Sequence, residues 1–241
     1  MHDSTARPPL RHQARDLWLL MLALYVPAVI ALLAAQYVSI RNDHSMSHFT
    51  RDPLAHFDGA PPSLGALSNL GVLLWAAAAT VCLFTAAVLP LERDSTVRDG
   101  AAARPPRTFF VAFGLFTAWL CLDDLFLIHE RLIPAWTLIP EAVVYGSYAA
   151  GAALLVLVFH RQVLQSDFLP LALAGALFAG SILADELMDR SFRWHHFVED
   201  GAKLLGIVSW LAYVSRASLV AIRRAGPEAS SEDPDSHRRT R

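Results

Sequence analysis

The sequence predicts an all-α protein, a polytopic bundle of six membrane-spanning helices. Three observations carry this reading. Hydrophobic residues fill 54% of the 241 positions and charged residues only 17%, against about 25% in an ordinary soluble domain. The apolar residues fall into six runs of the length that crosses a bilayer, about 20 residues per helix. The basic residues, nineteen Arg and one Lys, alternate between successive connections, as membrane orientation requires. The same composition excludes a disordered or fibrous chain and a nucleic-acid binder built on a basic surface, and it argues against a soluble globule.

The first span covers 17–40 and contains no charge. Arg7, Arg11 and Arg15 precede it, as they would a signal peptide. Its apolar core is far longer than the usual ~7–15 residues of such a peptide, however, and no small-x-small cleavage pattern follows. It reads as an uncleaved helix. The second span is 66–90, after Pro61 and Pro62, the third 108–128 and the fourth 141–160. The fifth, 168–187, and the sixth, 200–222, carry ionisable residues near one end. Three segments result: an N-terminal tail (1–16), the six-helix domain (17–222) and a tail (223–241). That last tail, polar and aromatic-free from Gly226 onward, is expected to be disordered. The connection 91–107 is rich in Arg, Pro and Ala and reads as a surface loop. Cys82 and Cys121 lie inside apolar runs and read as small buried hydrophobes, not as a disulfide or a thiolate metal site.

Six spans put both termini on one side. That side, with the second and fourth loops, holds thirteen Arg; the first, third and fifth loops hold five: Arg41, Arg51, Arg131, Arg190 and Arg193. The asymmetry places both termini in the cytoplasm.

The acids and histidines follow an independent pattern. Loop one holds Asp43, His44, His48, Asp52, His56 and Asp58, and the third helix ends in LDDLFLIHE with Asp123, Asp124, His129 and Glu130. The fourth begins with Glu141, the fifth ends with Asp185, Glu186 and Asp189, and the sixth begins with His195, His196, Glu199, Asp200 and Lys203. Twelve of the twenty-two acids and six of the ten histidines thus share the extracytoplasmic face. Asp123 follows Thr108 by fifteen residues, or about 22 Å of helix. That leaves it below the edge of a hydrocarbon core about 30 Å thick. Carboxylates at such depth cost several kcal/mol unless paired, metal-bound or facing water. A cation among them resolves the repulsion: a divalent metal, Lys203, Arg131, or protons.

Helical spacing supports a shared site. Asp123 and Glu130 are seven apart, and Asp185 and Asp189 four apart. His195/Glu199 and His196/Asp200 are each four apart, so either pair offers two ligands from one helix face. The metal ligands expected are Asp123, Asp124, His129, Asp185, His196 and Asp200, with Asp124, Glu130 and Glu199 as the carboxylates for acid–base work. Glu186 belongs to the same group of acids. Each residue also has an ordinary role open to it. His129 and Glu130 suit a helix end emerging into the interface. Glu141 after Pro140 suits a helix start. Glu199 and Asp200 suit the positive end of a helix dipole, and the sole lysine, Lys203, is expected to serve as counter-ion to Glu199 or Asp200. The histidines of loop one are expected to be solvated.

The motifs FTRDP (49–53), SNLG with VLLW (68–75), LDDLFLIHE (122–130) and EDGAKLLGIVSW (199–210) resemble an uncharacterised family of bacterial multi-pass membrane proteins over most of 49–213. The resemblance implies a bacterial inner-membrane location and adds Arg51, Asp52 and Asn69 to the candidates. More loosely, the gathering of histidines and acids from several helices resembles the alkaline ceramidase superfamily of membrane hydrolases, whose late-helix HxxxH pair this chain lacks.

Three functional classes follow. One is a divalent-metal (zinc or iron) enzyme, a hydrolase of lipid or lipid-linked substrates at the outer leaflet. The second is a proton- or cation-coupled transporter using the acids, against which the nearly featureless cytoplasmic halves weigh. The third, a non-catalytic assembly factor, leaves the converging acids unexplained. The topology is directly testable: reporter fusions after Arg98 and at the C-terminus should read cytoplasmic, and one near Pro53 external. A reversed pattern would undo the one-face assignment.

Overall fold

The computed structural model describes residues 10–43, 45–51, 61, 63–89, 107–128, 133–137, 139–189 and 192–225. The described residues are all-helical: α1 (Leu10–Arg41), α2 (Ser47–Thr50), α3 (Ala66–Val88), α4 (Arg107–Phe126), α5 (Ile133–Trp136), α6 (Glu141–Val158), α7 (His160–Gln165), α8 (Leu169–Leu187) and α9 (His195–Ala225). Five of them are long and apolar enough to cross a membrane: α1 from Leu17, α3, α4, α8 and α9 up to Arg223. The protein is therefore a multi-pass membrane protein. The fourth expected span corresponds to the shorter apolar helix Val143–Val158. It breaks at Phe159 into α7, so Arg161, expected in a loop, lies within a helix. Residues 1–9, the connection 90–106 and the tail from 226 lie outside the described residues.

Why these runs are helices is a matter of solvent. In lipid every backbone N–H and C=O must be satisfied within its own segment, so apolar runs become helices whatever their propensity. Pro27 inside α1 is tolerated on the same grounds. The helices end where the chain says they should. Gly65, in the left-handed region at φ 66°, turns the chain into α3. Pro170 sits in the first turn of α8, where a missing N–H costs nothing. Leu127 takes φ 52°, unusual for a branched residue, and closes α4 two residues before the expected end at 128.

α9 is the axis of the bundle. Two-thirds of its spanning window is buried, against 17% for α1. It packs against α8, α3 and α1, and α3 in turn packs along α4. At 31 residues it is about 46 Å long, enough to cross the core and project at both ends. Its middle joins an aromatic layer. Phe113 lies 5.6 Å from Trp210 and 6.0 Å from Tyr213, ring centre to ring centre. Trp75 stacks on Phe178 at 5.9 Å. Because lipid is as apolar as the side chains, helices associate through close packing and polar bonds instead of through apolar burial. Both occur here. The Trp210 indole N–H donates to the Thr117 hydroxyl (3.0 Å) and Arg216 Nε to Asp167 (2.7 Å), while Tyr25 and Ser209 share a short hydrogen bond. The rings of Phe178 and Phe116 lie directly against Gly206 and Gly151.

The polar residues collect at one end, here called the site end. There α1, α4 and α8 finish and α3 and α9 begin, joined by α2. A smaller apolar cluster of Leu32, Ala35, Met46, Phe49, Leu67 and Leu204 holds α1, α2, α3 and α9 together there.

The α8–α9 contact yields a prediction. A Cβ on Gly206 would stand 2.8 Å from the Phe178 ring, whereas one on Gly175 would meet nothing within 4 Å. Gly206→Leu should cost about 1–3 kcal/mol of stability through overpacking, read as a lowered melting temperature in detergent. Gly175→Leu, on an open face, should leave it unchanged. Equal behaviour of the two would mean that α8 and α9 are not in close contact.

Candidate functional site

The first turns of α9 carry the densest chemistry. His195 is 1% exposed. Its Nε2 lies 3.1 Å from the Glu199 carboxylate and 3.8 Å from Asp185 at the end of α8. His196 Nδ1 lies 3.5 Å from the same Glu199 carboxylate and 3.8 Å from Asp200. One ligand atom from each of His195, His196 and Glu199 can be chosen so that all lie within 4.8 Å of one another. The helix creates this arrangement. Residues four apart project on one face, and side chains lean toward the N-terminus, so both imidazoles meet the carboxylates of the next turn. His195 Nδ1, on the other side of its ring, is buried with no hydrogen-bond partner among the described residues.

A second group lies about two turns deeper along α9. The Lys203 ammonium donates to Asp124 Oδ1 at 2.8 Å. Of the two counter-ions expected on its own helix, Asp200 lies within electrostatic range of Lys203, but the direct bond goes to Asp124. The long lysine stem reaches across to α4, where Asp124 is largely enclosed and has more to gain from an ion pair than a carboxylate nearer the interface. Beside the pair opens a cleft of about 40 Å³. Its polar wall is Thr50, Ser68, Asp124, Asp200 and Lys203, and its apolar wall Leu67, Leu204 and Ile207, with Gly71 leaving room between them. The Thr50 hydroxyl hydrogen-bonds Asp200. Asp200 thereby belongs to both groups, lining the cleft and facing His196.

Asp123 and Asp124 take different partners. Asp123 is 3% exposed and accepts a 2.6 Å hydrogen bond from the Tyr148 hydroxyl of α6, so it braces α6 against α4 and is not among the groups gathered on α9. Sequence alone could not choose between the two; neighbouring helix positions point about 100° apart, and here they serve different helices.

The other expected residues distribute as follows. Asp185, His196, Glu199 and Asp200 are brought together, and Lys203 and Asp124 adjoin them. Glu186 is exposed at the end of α8. Arg51 is exposed but within electrostatic range of His196. Asn69 is exposed, and its neighbour Ser68 lines the cleft in its place. Glu141 opens α6 as its first residue. Its side chain lies outside the described residues, as do Asp52, His129 and Glu130, together with His44, His56 and Asp58 of loop one. His48, expected to be solvated, is half-buried, bonds Ser63 at 3.0 Å and packs edge-on against Phe49.

Thr50, Gly71 and Tyr148 were not singled out as site members by the sequence, and His195 was offered only through its pairing with Glu199, the expected metal set naming His196 in its place. For His195 a signal exists. His195, Glu199, Ala202 and Gly206 form one helical stripe, and its small members mark the side on which another helix comes close. For Thr50 and Tyr148 there is none.

The ion pair makes a specific prediction. Removing one member of an enclosed pair strands the other, at about 3–5 kcal/mol when both are buried, and less here because the Lys203 side chain is 44% exposed. Asp124→Asn and Lys203→Met should each lower folded, monodisperse yield, and the double variant Asp124→Leu/Lys203→Met should recover it. Asp123→Asn should be milder, since Tyr148 can donate to an amide oxygen. Additive losses in the double variant would show that the two residues do not act as a pair.

No curated protein and no solved structure matches the chain. The family described as a domain of unknown function, DUF8692, matches residues 17–217, from the first span almost to the end of α9, and the chain belongs to that family.

Proposed function

We propose that the protein is a metal-dependent hydrolase of the bacterial inner membrane. It crosses six times, with α6 as the fourth crossing and both termini in the cytoplasm, and acts on lipid or lipid-linked substrates at the extracytoplasmic leaflet. The observation that carries the proposal is the buried His195 imidazole with its neighbours. Two imidazoles and two carboxylates form a donor set suited to zinc or iron. Their separations of 3.1, 3.5 and 3.8 Å bracket the roughly 3.3–3.4 Å expected between ligands held about 2.0–2.1 Å from a tetrahedral zinc. His195, His196 and Glu199 would hold the ion, with Asp185 reaching in from α8. When bound, a divalent ion supplies Lewis acidity and brings water activation into the neutral pH range.

The chain's own groups divide the remaining work. Asp200, oriented by Thr50 and facing both His196 and the cleft, is placed to take a proton from an attacking water and pass it to the leaving oxygen or nitrogen of the substrate. The water oxygen bonds to the acyl carbon as the acyl bond to that leaving atom breaks. Asp124, engaged by Lys203, fixes the cleft wall instead of acting as a base. The transporter reading loses support in the middle of the bundle. Phe109, Phe110, Phe113, Trp210 and Tyr213 fill the region between the site end and the Arg216–Asp167 pair, where a conduction path would need polar groups.

Purified protein should carry about one zinc or iron per chain, measured by elemental analysis. Removing one ligand typically lowers affinity well over tenfold, so His195→Ala and Glu199→Gln should reduce bound metal to near background, while His160→Ala retains it. Metal-free wild-type protein, or full occupancy in His195→Ala, would refute the metal reading.

A further inference from the structure

The cleft beside Lys203 lies outside the proposed metal ligands, and its lining constrains the charge, the hydrogen bonding and the shape of what it can take. It holds two carboxylates, Asp124 and Asp200, and one ammonium, Lys203, a formal balance of −1. Two carboxylates offer about eight acceptor sites. One is taken by the 2.8 Å bond from Lys203 to Asp124, and one by the Thr50 hydroxyl on Asp200. The donors left on Lys203, with the Ser68 hydroxyl, are too few to fill the rest. The surplus is therefore in acceptors, and an occupant must bring donors. An anion adds to the net charge and a neutral donor leaves it uncompensated, in a medium of low dielectric. Because Lys203 is already engaged by Asp124, Asp200 supplies the uncompensated charge, and one positive charge meets it. A divalent ion overshoots the balance beside an ammonium. The opposite wall, Leu67, Leu204 and Ile207, offers a bare metal ion no side-chain oxygen but packs well against methylene groups. The volume, about 40 Å³, exceeds the roughly 10–15 Å³ that a single water needs and accommodates an ammonium group. The Lys203 side chain is 44% exposed within a membrane-spanning helix, so the cleft opens to the outside of the bundle.

We propose that this cleft binds a primary alkylammonium, whose N–H groups donate to Asp124 and Asp200 while its methylenes lie against Leu67, Leu204 and Ile207. A quaternary ammonium carries the same charge without a donor and is rejected. The chemistry is shared by an aminolipid headgroup and a free alkylamine. The site goes beyond the metal reading, and its occupancy requires no metal.

The test uses full-length protein in detergent micelles, with chelator present throughout. Photoactivatable probes share one short diazirine-bearing alkyl chain and end in a primary ammonium, a trimethylammonium, a hydroxyl or a phosphate. Cross-links are mapped by mass spectrometry. The primary ammonium should label peptides around Leu67 and Leu204 roughly tenfold or more above the other probes, as a site built for hydrogen bonding rejects analogues that lack the donor. Asp200→Asn removes the uncompensated charge and leaves the Lys203–Asp124 pair in place; it should reduce labelling about tenfold. Ser68→Leu fills the cleft without touching any charge and serves as an independent probe, with a loss of about the same size expected. Competition separates the sources. Displacement by phosphatidylethanolamine alone identifies a lipid headgroup, and displacement by butylammonium a free amine. Equal labelling by the trimethylammonium, stronger labelling by the hydroxyl or the phosphate, displacement by neither competitor, or labelling indifferent to both variants would overturn the proposal. Labelling in a protein that purifies without metal would sustain the cleft while refuting the metal site, and bound metal without labelling would do the reverse.

Discussion

The ion pair between Lys203 and Asp124 is the interaction on which the site end depends. An ammonium and a carboxylate inside the hydrocarbon zone are tolerable only together, so the pair dictates where α4 meets α9 and in what rotation. Once that is set, Asp123, the preceding residue, must point elsewhere, and it meets Tyr148 of α6. The two adjacent acids therefore tie α4 to two different helices. The bundle carries further ties of the same kind: Trp210 to Thr117, Arg216 to Asp167, Tyr25 to Ser209. All three involve α9. In lipid, where apolar contact alone does not select a partner, such bonds specify which helix face meets which.

α9 then divides its circumference. The stripe of His195, Glu199, Ala202 and Gly206 turns toward α8, whose Phe178 lies against Gly206 and whose Asp185 approaches His195. The stripe of Asp200, Lys203, Leu204 and Ile207 turns toward α2, α3 and α4 and lines the cleft. The imidazole cluster and the cleft are thus two faces of one helix end, and Asp200 is the residue common to both.

Much of this was legible in the sequence. Apolar run length located five helices long enough to span, while the fourth expected span is a shorter helix and α1 begins at Leu10, seven residues before its apolar run. The exceptions have physical causes. α9 starts at His195 instead of 200 because a polar first turn is stable where the helix leaves the core. Gly65 and Leu127 adopt left-handed backbone where the uncharged run by itself marks no boundary. Among the described residues, the meeting of Asp185, His195, His196, Glu199 and Asp200 was legible because connectivity alone sends the ends of α8 and α9 to one side. Which residues touch was not. Side-chain direction within a doublet depends on helix rotation, and rotation is set by partners that single-sequence patterns do not identify. Hence the choice between Asp123 and Asp124, the partner of Lys203 and the part of Tyr148 waited for the structure. The preference for His195 could have been read from the small residues aligned beneath it.

The arrangement also accounts for the placement of the aromatic layer. A cluster of ionisable groups near one end of a bundle invites water, and a column of water through the membrane would dissipate ion gradients. Phe109 and Phe113 pack at 4.4 Å, and Trp75 and Trp210 close the layer beside them, with centroids 6.1 Å apart. The Trp210 N–H is taken by Thr117 and the Tyr213 hydroxyl by Ser166. The aromatic layer thus stands between the site end and the Arg216–Asp167 pair, with Thr117, Ser209 and Ser166 as the polar partners of its rings and of Tyr25. The ionisable groups of the site end and the Arg216–Asp167 pair are two polar clusters at different heights of the bundle, both anchored on α9.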